Sequence, residues 1–393
     1  MVDFSIDFQD TKIAFADKTD AELREKYRLF KLMNSPLLNS IGTSAAKFAL
    51  SIGLPIDGII KRTAFEHFCG GETIEECQGT IARLGASGIG TILDYSVEGK
   101  TTEAEFDATK EEILRTIRRA KGDSSIPFAV FKVSGIAPFG TLEKLSARQT
   151  LDAKGQAKSE NLHDRVREIC CLAAKLEQPL FIDAEDSWIQ AAIDDLATEM
   201  MALHNRGRVI VFNTIQLYRK DRLNFLREAA LQAKKEGYML GVKLVRGAYM
   251  EKERERAEEM GYDSPIHDDK ASTDADYDEA IRYCLNHLDT TAFVAATHNE
   301  ESCRRLARLM HERSIPHDHP QVFFSQLYGM SDNLSYVLAA NGYNVSKYLP
   351  YGPVRDTVPY LIRRAQENTS VAGQMSRELD LLGKELTRRK QIQ

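Results

Sequence analysis

Residues 241–257 read GVKLVRGAYMEKERERA, an apolar, β-branched run followed at once by a charged stretch of helical periodicity. This order is typical of a βα unit, in which a buried parallel strand leads into a helix that covers the sheet. The same pattern recurs from Thr91 onward. Eight such runs stand in the sequence: TILDYS (91–96), FAVFKVS (128–134), LFIDAE (180–185), VIVFNTI (209–215), GVKLVRG (241–247), AFVAATHN (292–299), VFFSQL (322–327) and VSKYLPY (345–351).

The number and character of these runs predict the fold class. Eight nearly continuous apolar strands across about 260 residues match the usual size of a closed barrel of parallel strands covered by helices. We therefore predict an α/β fold, a distorted (β/α)8 barrel with an N-terminal helical arm and a C-terminal amphipathic helix. An open doubly wound sheet is the alternative, but no GxGxxG motif follows a strand and opens a helix.

The chain has 393 residues, of which 43% are hydrophobic and 28% charged, enough to bury a large core. No Gly/Ser/Pro-rich linker divides it. We predict a helical arm or cap over residues 1–85, a catalytic barrel over 86–370 and a C-terminal helix over 371–393. In that last helix Leu379, Leu382 and Leu386 share one stripe, which we expect to pack on the protein surface, with membrane docking as the alternative.

Charge and cysteine content limit the function classes. Counting 52 Lys+Arg against 58 Asp+Glu gives a net charge of −6, which argues against a fold-wide grip on nucleic acid. The six cysteines form no CxxC pair, which favours a reducing compartment. The start lacks a signal or transit pattern, and the most apolar window, residues 41–60, is interrupted by charges and a proline. We expect a cytoplasmic protein, with peripheral contact at the inner face of the plasma membrane left open.

Polar side chains lie at the ends of all eight predicted strands, and in a barrel of this kind the reactive groups gather at the carboxyl ends. These side chains are Asp94, Glu98, Lys132, Asp183, Glu185, Gln216, Lys243, Arg246, Thr297, His298, Asn299, Gln326 and Tyr348. A solvated strand end or a paired core charge explains any one of them equally well. Eight strands that all end this way favour an active site.

The segment YLPYGPVRDTVPYLIRRAQEN (348–368) carries the sharpest signal, because Tyr360, Arg363, Arg364 and Glu367 share one helix face. Two guanidinium groups beside an aromatic ring form a planar receptor for a small carboxylate. Lys132 supplies a third cation. A solvated Arg pair is the competing interpretation.

The end of the fifth strand combines Lys243 and Arg246 with the small residues Gly247 and Ala248. Small residues let the main chain approach a flat ring, and nearby cations stabilise electron density added to it. A Schiff-base role for Lys243, as in an aldolase, is the alternative.

Other chemistries lack support in the sequence. His317, Asp318 and His319 are flanked by prolines and are typical of a solvated loop, so we predict no catalytic metal. Neither a phosphate-binding loop nor a GxSxG motif is present.

Five ordered motifs resemble the proline dehydrogenase family: FIDAED (181–186), KLVRGAYMEKERERA (243–257), ATHN (296–299), QLYGM (326–330) and the segment 348–368. With ILDYSVEG (92–99), they are most similar to its monofunctional, eukaryotic-like branch, and the start without a targeting peptide suggests a bacterial member. The resemblance implies an FAD-dependent (β/α)8 enzyme that oxidises L-proline to 1-pyrroline-5-carboxylate, the first step of proline catabolism.

The resemblance also implies a substrate site. Arg363, Arg364 and Lys132 would hold the carboxylate of proline, and Tyr348, Tyr360 and Leu327 would wall its ring. Asp183 would lie beside the substrate and support Lys132 or Tyr249. A Glu98–Arg364 ion pair would close the site over bound substrate.

For the FAD cofactor the family pattern implies a set of eight contacts: Gln216, Lys243, Arg246, Gly247, Ala248, Thr273, His298 and Asn299. Two positions depart from the pattern of the bifunctional bacterial relatives, since Lys243 stands where they carry Arg and Met250 where they carry Trp. Flavin contacts near these two residues are expected to differ in detail.

Electrons would pass to a membrane quinone, and the product to a separate pyrroline-5-carboxylate dehydrogenase. Hydroxyproline oxidation on the same fold is the close alternative, although Tyr348 favours unsubstituted proline. Two further alternatives are a cofactor-free lyase or aldolase using Lys132 or Lys243, and a non-catalytic sensor of a small carboxylate.

Overall fold

The computed structural model describes residues 4–33, 64–97, 99–370 and 374–392, with the side chains of all these except 33, 364–370, 374, 375 and 392. Eight parallel strands follow one another around a closed barrel, and β1 pairs with β8 to complete it. The predicted (β/α)8 barrel is therefore confirmed, and the open sheet is wrong. The strands are β1 (Ile89–Tyr95), β2 (Phe128–Lys132), β3 (Leu180–Asp183), β4 (Val211–Gln216), β5 (Leu240–Val245), β6 (Thr291–Ala296), β7 (Val322–Leu327) and β8 (Val345–Tyr351).

Helices precede, connect and follow the strands. In chain order they are α1 (Thr11–Ala14), α2 (Asp20–Met33), α3 (Glu66–Phe68), α4 (Gln78–Ala86), α5 (Glu103–Ala120), α6 (Phe139–Ser146), α7 (Ala153–Lys175), α8 (Ser187–His204), α9 (Arg222–Glu236), α10 (Met250–Met260), α11 (Lys270–Leu285), α12 (Glu300–Glu312), α13 (Asp332–Ala340), α14 (Val354–Ser370) and α15 (Gln374–Ile392). Helical segments thus flank the barrel at both ends of the described chain, as predicted.

Aromatic rings fill the amino-terminal half of the barrel interior. Phe128 stacks on Phe181 with ring centroids 4.5 Å apart and meets Phe212 and Phe323 edge-on at 5.5 and 4.9 Å. Gly241 allows β5 to lie close to β4 beside these rings, because a Cβ there would lie 2.5 Å from the Val211 carbonyl oxygen and 3.1 Å from Phe212 Cγ. Since side chains alternate along a strand, the residues two positions further on rise towards the carboxyl ends, where polar groups replace the phenylalanines.

The two terminal segments pack on each other. Leu381 and Leu382 of α15 are buried in one cluster with Phe15 and Leu23. Arg389 donates hydrogen bonds to the Phe15 carbonyl at 2.9 Å and the Lys18 carbonyl at 2.8 Å. Of the predicted stripe, Leu382 is buried and Leu386 packs partly against the same cluster, while Leu379 is half-buried, which favours surface packing over membrane docking. Within residues 4–33, 64–97, 99–370 and 374–392, the helices lack an apolar stretch of the length that a membrane span requires.

A group of buried charges, the helix-side cluster, lies on the outer face of β8. It consists of Lys26 of α2, Asp332 of α13, Lys347 of β8 and Glu378 of α15. Lys26 and Lys347 donate to the two oxygens of Asp332, at 2.7 and 2.8 Å. These side chains join the barrel wall to helices from both ends of the chain.

Candidate active site

Five polar side chains meet at the carboxyl end of the barrel interior, and we call them the mouth cluster. They are Asp94 of β1, Lys132 of β2, Asp183 of β3, Lys243 of β5 and Tyr348 of β8. Each belongs to the inward-facing set of its strand. Strand alternation therefore lifts three of these groups directly above apolar residues of the barrel interior: Asp94 above Ile92, Lys132 above Val130 and Asp183 above Phe181.

Asp183 is the centre of the mouth cluster. It accepts an ion-paired hydrogen bond from the Lys243 ammonium and a hydrogen bond of 2.8 Å from the Tyr348 hydroxyl. Burial alone would raise the pKa of Asp183, but Lys243 and Lys132 outweigh burial and lower it. Burial, followed by the charges of Asp183 and Asp94, raises the pKa of Tyr348 well above its usual value. The carboxylate is thus ionised while the phenol stays protonated and donates.

Lys132 lies on the open side of the same cluster. Its Nζ donates to Asp94 Oδ2 at 3.3 Å, and its side chain is 17% exposed, whereas that of Asp94 is 1% exposed. The ammonium group therefore faces the mouth with a buried counter-ion behind it. An incoming carboxylate would meet positive charge at this point.

The helix that carries the predicted carboxylate receptor lies over this region. Tyr360 is buried with Phe65, Phe68 and Met330, and Leu327 packs against both this group and the barrel interior. The Arg363 guanidinium carbon is 5.9 Å from the centroid of the Tyr249 ring, just after β5. The structure therefore brings Arg363 next to the motif that follows the fifth strand. Glu98 and the Arg364 side chain lie outside the described part of the chain.

Arg246 is held firmly beside the mouth. Its Nε donates to Asp274 at 2.7 Å, its Nη1 to Thr297 at 2.6 Å and its Nη2 to Ser302 at 3.0 Å. The guanidinium also lies over the Tyr277 ring, 4.3 Å from its centroid. Contacts of this number fix the position of the cation before any ligand arrives.

Gly247 has a packing role in addition to the predicted one. Its φ is 141°, and a Cβ there would lie 2.4 Å from the Tyr218 ring. Any side chain would therefore displace that ring. The backbone at 247–248 is half-buried and bare, as the approach of a flat ring requires.

The other predicted flavin contacts all occupy ends of β4, β6 or neighbouring helices. The Gln216 amide donates to the Glu185 carbonyl at 2.7 Å, and Thr273 is buried on α11. Asn299 caps α12 by accepting from the Ser302 amide at 3.1 Å. His298 Nδ1 lies 2.9 Å from the Ser331 hydroxyl. Donors and cations thus surround one side of the mouth, and this donor set fits an electron-rich ring.

Two groups in or beside the site, Glu185 and Ser331, had a weak signal and no signal in the sequence, respectively. Glu185 ends a predicted strand, and in the structure it accepts from the Ser134 amide at 2.9 Å. Burial raises the pKa of Glu185 to about 7, despite the opposing hydrogen bonds from Ser134. Ser331 had no signal at all, since nothing local marks a serine that contacts His298. Among the described residues, no group of His, Cys, Asp or Glu is arranged to hold a metal ion.

The fold and the mouth together define a class of protein, the (β/α)8-barrel enzymes, whose reactive groups lie at the carboxyl ends of the strands. The sequence model of one family, described as proline dehydrogenase, matches residues 77–377. The chain therefore belongs to the proline dehydrogenase family, which oxidises proline in a flavin-dependent reaction.

Individual relatives agree with this assignment. The carbapenem antibiotics biosynthesis protein CarD of Pectobacterium carotovorum subsp. carotovorum is 38% identical over 82% of this chain and 83% of its own length. Mitochondrial proline dehydrogenase 2 of Arabidopsis thaliana is 31% identical over 95% and 91%. Hydroxyproline dehydrogenase of Mus musculus is 32% identical over 96% and 93%.

A solved structure supports the fold. The proline utilization A (PutA) structure from Bdellovibrio bacteriovorus superposes with a TM-score of 0.71 over 92% of this chain, at 19% identity. The chain spans only 38% of that much longer protein. The likeness therefore concerns the barrel and its flanking helices.

Proposed function

We propose that this chain binds FAD across the barrel mouth and oxidises L-proline to 1-pyrroline-5-carboxylate, with a quinone as the final electron acceptor. The observation that carries the proposal is the mouth cluster, in which an ionised Asp183 is shared by Lys243 and Tyr348 beside the more exposed Lys132. The helix carrying Arg363 lies close to Tyr249 at the same end of the barrel.

The substrate side of the site follows from charge and shape. Lys132 and Arg363, with Arg364 as an expected third group, would bind the carboxylate, and Tyr348, Tyr360 and Leu327 would contact the ring. Proline must lose a hydride from C5 and a proton from nitrogen, and the nitrogen can stabilise the developing positive charge only when its lone pair is free. Nearby cations disfavour the protonated amine, so the residues that bind the carboxylate also favour the reactive form.

On the cofactor side, Lys243, Arg246, Gly247, Ala248, Gln216, Thr273, His298 and Asn299 would hold FAD. When bound, FAD supplies the two-electron acceptor for the hydride. Asp183 keeps Lys243 oriented by their ion pair, and the Tyr348 hydroxyl is fixed by the same carboxylate. Both groups are thereby positioned before substrate binds.

A Schiff-base lyase receives no support from this geometry. Lys243 is ion-paired with Asp183, and Lys132 donates to Asp94. An ammonium engaged in an ion pair has no lone pair with which to attack a carbonyl carbon.

One experiment tests the proposal directly: purify the chain, record its visible spectrum, and add L-proline without oxygen. We expect flavin absorption that bleaches with proline and recovers when a soluble quinone analogue is added. A colourless protein in which borohydride traps substrate on lysine would favour the lyase instead. A protein that binds proline but never bleaches would favour a sensor.

Hydroxyproline oxidation is the second candidate, because the mouse hydroxyproline dehydrogenase matches nearly the whole chain. Tyr348 is held by Asp183 and is 9% exposed, so it leaves little freedom to accommodate a 4-hydroxyl group. We expect kcat/KM for L-proline to exceed that for trans-4-hydroxy-L-proline. The reverse ratio would assign the chain to the second activity.

A further inference from the structure

Ser331 has an unusual backbone conformation for its residue type. Its φ and ψ are 50° and 43°, in the left-handed region, and it stands at the N-cap of α13. Serine at this position normally accepts a hydrogen bond from the first turn of the helix, but Ser331 makes no such capping bond. A non-glycine residue that adopts a strained conformation and gives up its capping role is constrained by something else.

The hydroxyl of Ser331 is directed to His298 instead. Its Oγ lies 2.9 Å from His298 Nδ1, while the Leu327 amide approaches Nε2 at the longer distance of 3.5 Å. His298 directly follows β6 and precedes Asn299, the cap of α12. The shorter of these two contacts, and the one best able to fix the orientation of the imidazole ring, is the one from Ser331.

The C-terminal helix holds Ser331 in this conformation. The Glu378 carboxylate of α15 accepts from the Ser331 amide, and Glu378 is only 4% exposed. One residue earlier, Arg377 pairs with Glu300 in the first turn of α12. The start of α15 thus contacts the two chain segments that flank His298.

We propose that Glu378 and Ser331 are positioning residues of the flavin site: α15, through the Ser331 amide, sets the Ser331 hydroxyl on His298 and thereby fixes the imidazole ring towards the cofactor. The inference rests on the proposed function, because it takes His298 to be a flavin contact. It gives the C-terminal helix a role in cofactor binding although none of its described side chains belongs to the mouth cluster.

Two substitutions of Ser331 separate the effect of losing its hydroxyl from the effect on protein stability. Ser331→Ala and Ser331→Gly both lose the hydroxyl and keep the amide that donates to Glu378. Glycine adopts a positive φ at a lower cost than alanine, so we expect the glycine variant to unfold at a higher temperature than the alanine variant. If positioning is the role, both variants bind FAD about five- to tenfold more weakly and displace the visible flavin spectrum alike.

Glu378 provides a second series. Glu378→Ala removes the acceptor and is expected to weaken FAD binding as the Ser331 variants do, whereas Glu378→Gln keeps an acceptor oxygen and restores binding at least in part. Glu385→Gln is the matched control on the same helix, since Glu385 is buried two turns beyond Glu378 and pairs with Arg388 and Arg389. We expect it to lower thermal stability with an unchanged FAD dissociation constant and spectrum.

The outcomes distinguish a failure of the proposed function from a failure of the positioning role. A wild-type protein that binds no flavin overturns the proposed function. A wild-type protein that binds flavin and bleaches with proline, while Ser331→Gly retains the wild-type dissociation constant and spectrum, overturns the positioning role alone. An equal loss of FAD affinity in Glu385→Gln would also overturn it, because general loosening of α15 would then be sufficient.

Discussion

Strand β8 carries two consecutive residues that belong to charged clusters on opposite faces of the strand. Tyr348 faces the barrel interior and joins the mouth cluster, whereas Lys347 faces outward and joins the helix-side cluster. Each cluster places a buried aspartate between two donors. In the mouth cluster the Lys132 side chain is 17% exposed and Asp183 11%, but in the helix-side cluster Lys26, Lys347 and Asp332 are 0–6% exposed.

This difference in solvent access suits the helix-side cluster to a structural role and the mouth cluster to substrate binding. A sealed ion cluster meets no ligand, so its charges serve only each other, and removing one leaves the others uncompensated in a medium of low polarity. A cluster at an open mouth keeps its charges ordered yet able to meet a substrate. One strand therefore contributes a lysine to a structural cluster on its outer face and a tyrosine to the proposed reaction site on its inner face.

The largest expected effect is the loss of the carboxylate from the sealed cluster. Asp332→Ala removes the carboxylate to which the buried Lys26 and Lys347 both donate, and leaves Lys347 with backbone carbonyl oxygens but without this counter-ion. We expect the free energy of unfolding, measured by urea denaturation, to fall by about 3–5 kcal/mol. Asp195→Ala removes the acidic partner of an exposed ion pair with Arg148. We expect it to change the free energy of unfolding by less than about 1 kcal/mol. Equal losses would contradict the importance of burial.

Substitution at the open site should affect binding rather than folding. Arg363→Met removes a proposed carboxylate contact, and we expect the KM for L-proline to rise about 30-fold, or about 2 kcal/mol, with the bound flavin spectrum unchanged. Arg355→Met, on the exposed side of the same helix, is the control and should leave KM unaltered. An unchanged KM in Arg363→Met would remove Arg363 from the substrate site.

Much of the fold was predictable from the sequence because buried parallel strands are nearly continuous apolar runs. Predicted and observed limits of β7 and β8 agree to the residue. The second run was predicted too long, since residues 133–135 form a 3-10 turn rather than strand. A polar residue at a strand end can continue the strand or begin a turn, and the local pattern does not distinguish the two.

Pairing within the site was less predictable. The family resemblance implied that Asp183 would support Lys132 or Tyr249, and nothing local marked the partners from which it accepts hydrogen bonds, Lys243 and Tyr348, 60 and 165 residues away in the chain. The helix-side cluster had no signal, because Lys26 and Asp332 are separated by 306 residues. Strand order predicts which ends meet, but only the register and tilt of the barrel decide which side chains touch.

The buried carboxyl groups of Glu185 and Asp183 are expected to change the stability of the protein with pH in opposite directions. Since its pKa is raised to about 7, the folded protein holds a proton on Glu185 that the unfolded chain has lost, and stability falls as the pH rises from about 4.5 to about 7. The lowered pKa of Asp183 acts in the opposite sense, because its contribution is lost as the pH falls below about 4.

Glu185→Gln keeps a partner for Ser134 and removes the titration. We expect it to raise the free energy of unfolding by about 1.5 kcal/mol at pH 8 and to have no such effect at pH 5. Urea denaturation at both pH values measures the difference. A gain of the same size at pH 5 would show that charge on Glu185 is not its cause.

The smallest expected effect comes from removing a single tyrosine hydroxyl group from either face of β8. Tyr348→Phe removes the hydroxyl that donates to Asp183, while Tyr351→Phe removes one that contacts Thr116 at 2.7 Å and Glu112 at 3.0 Å on the helical side. Because Lys243 still pairs with Asp183, we expect Tyr348→Phe to lower kcat/KM for L-proline only about fivefold. Tyr351→Phe should lower stability by about 1 kcal/mol and leave kcat/KM unchanged. If both variants lost activity to the same extent, the inner face of β8 would have no special place in the reaction, since the two hydroxyl groups differ chiefly in the direction they face.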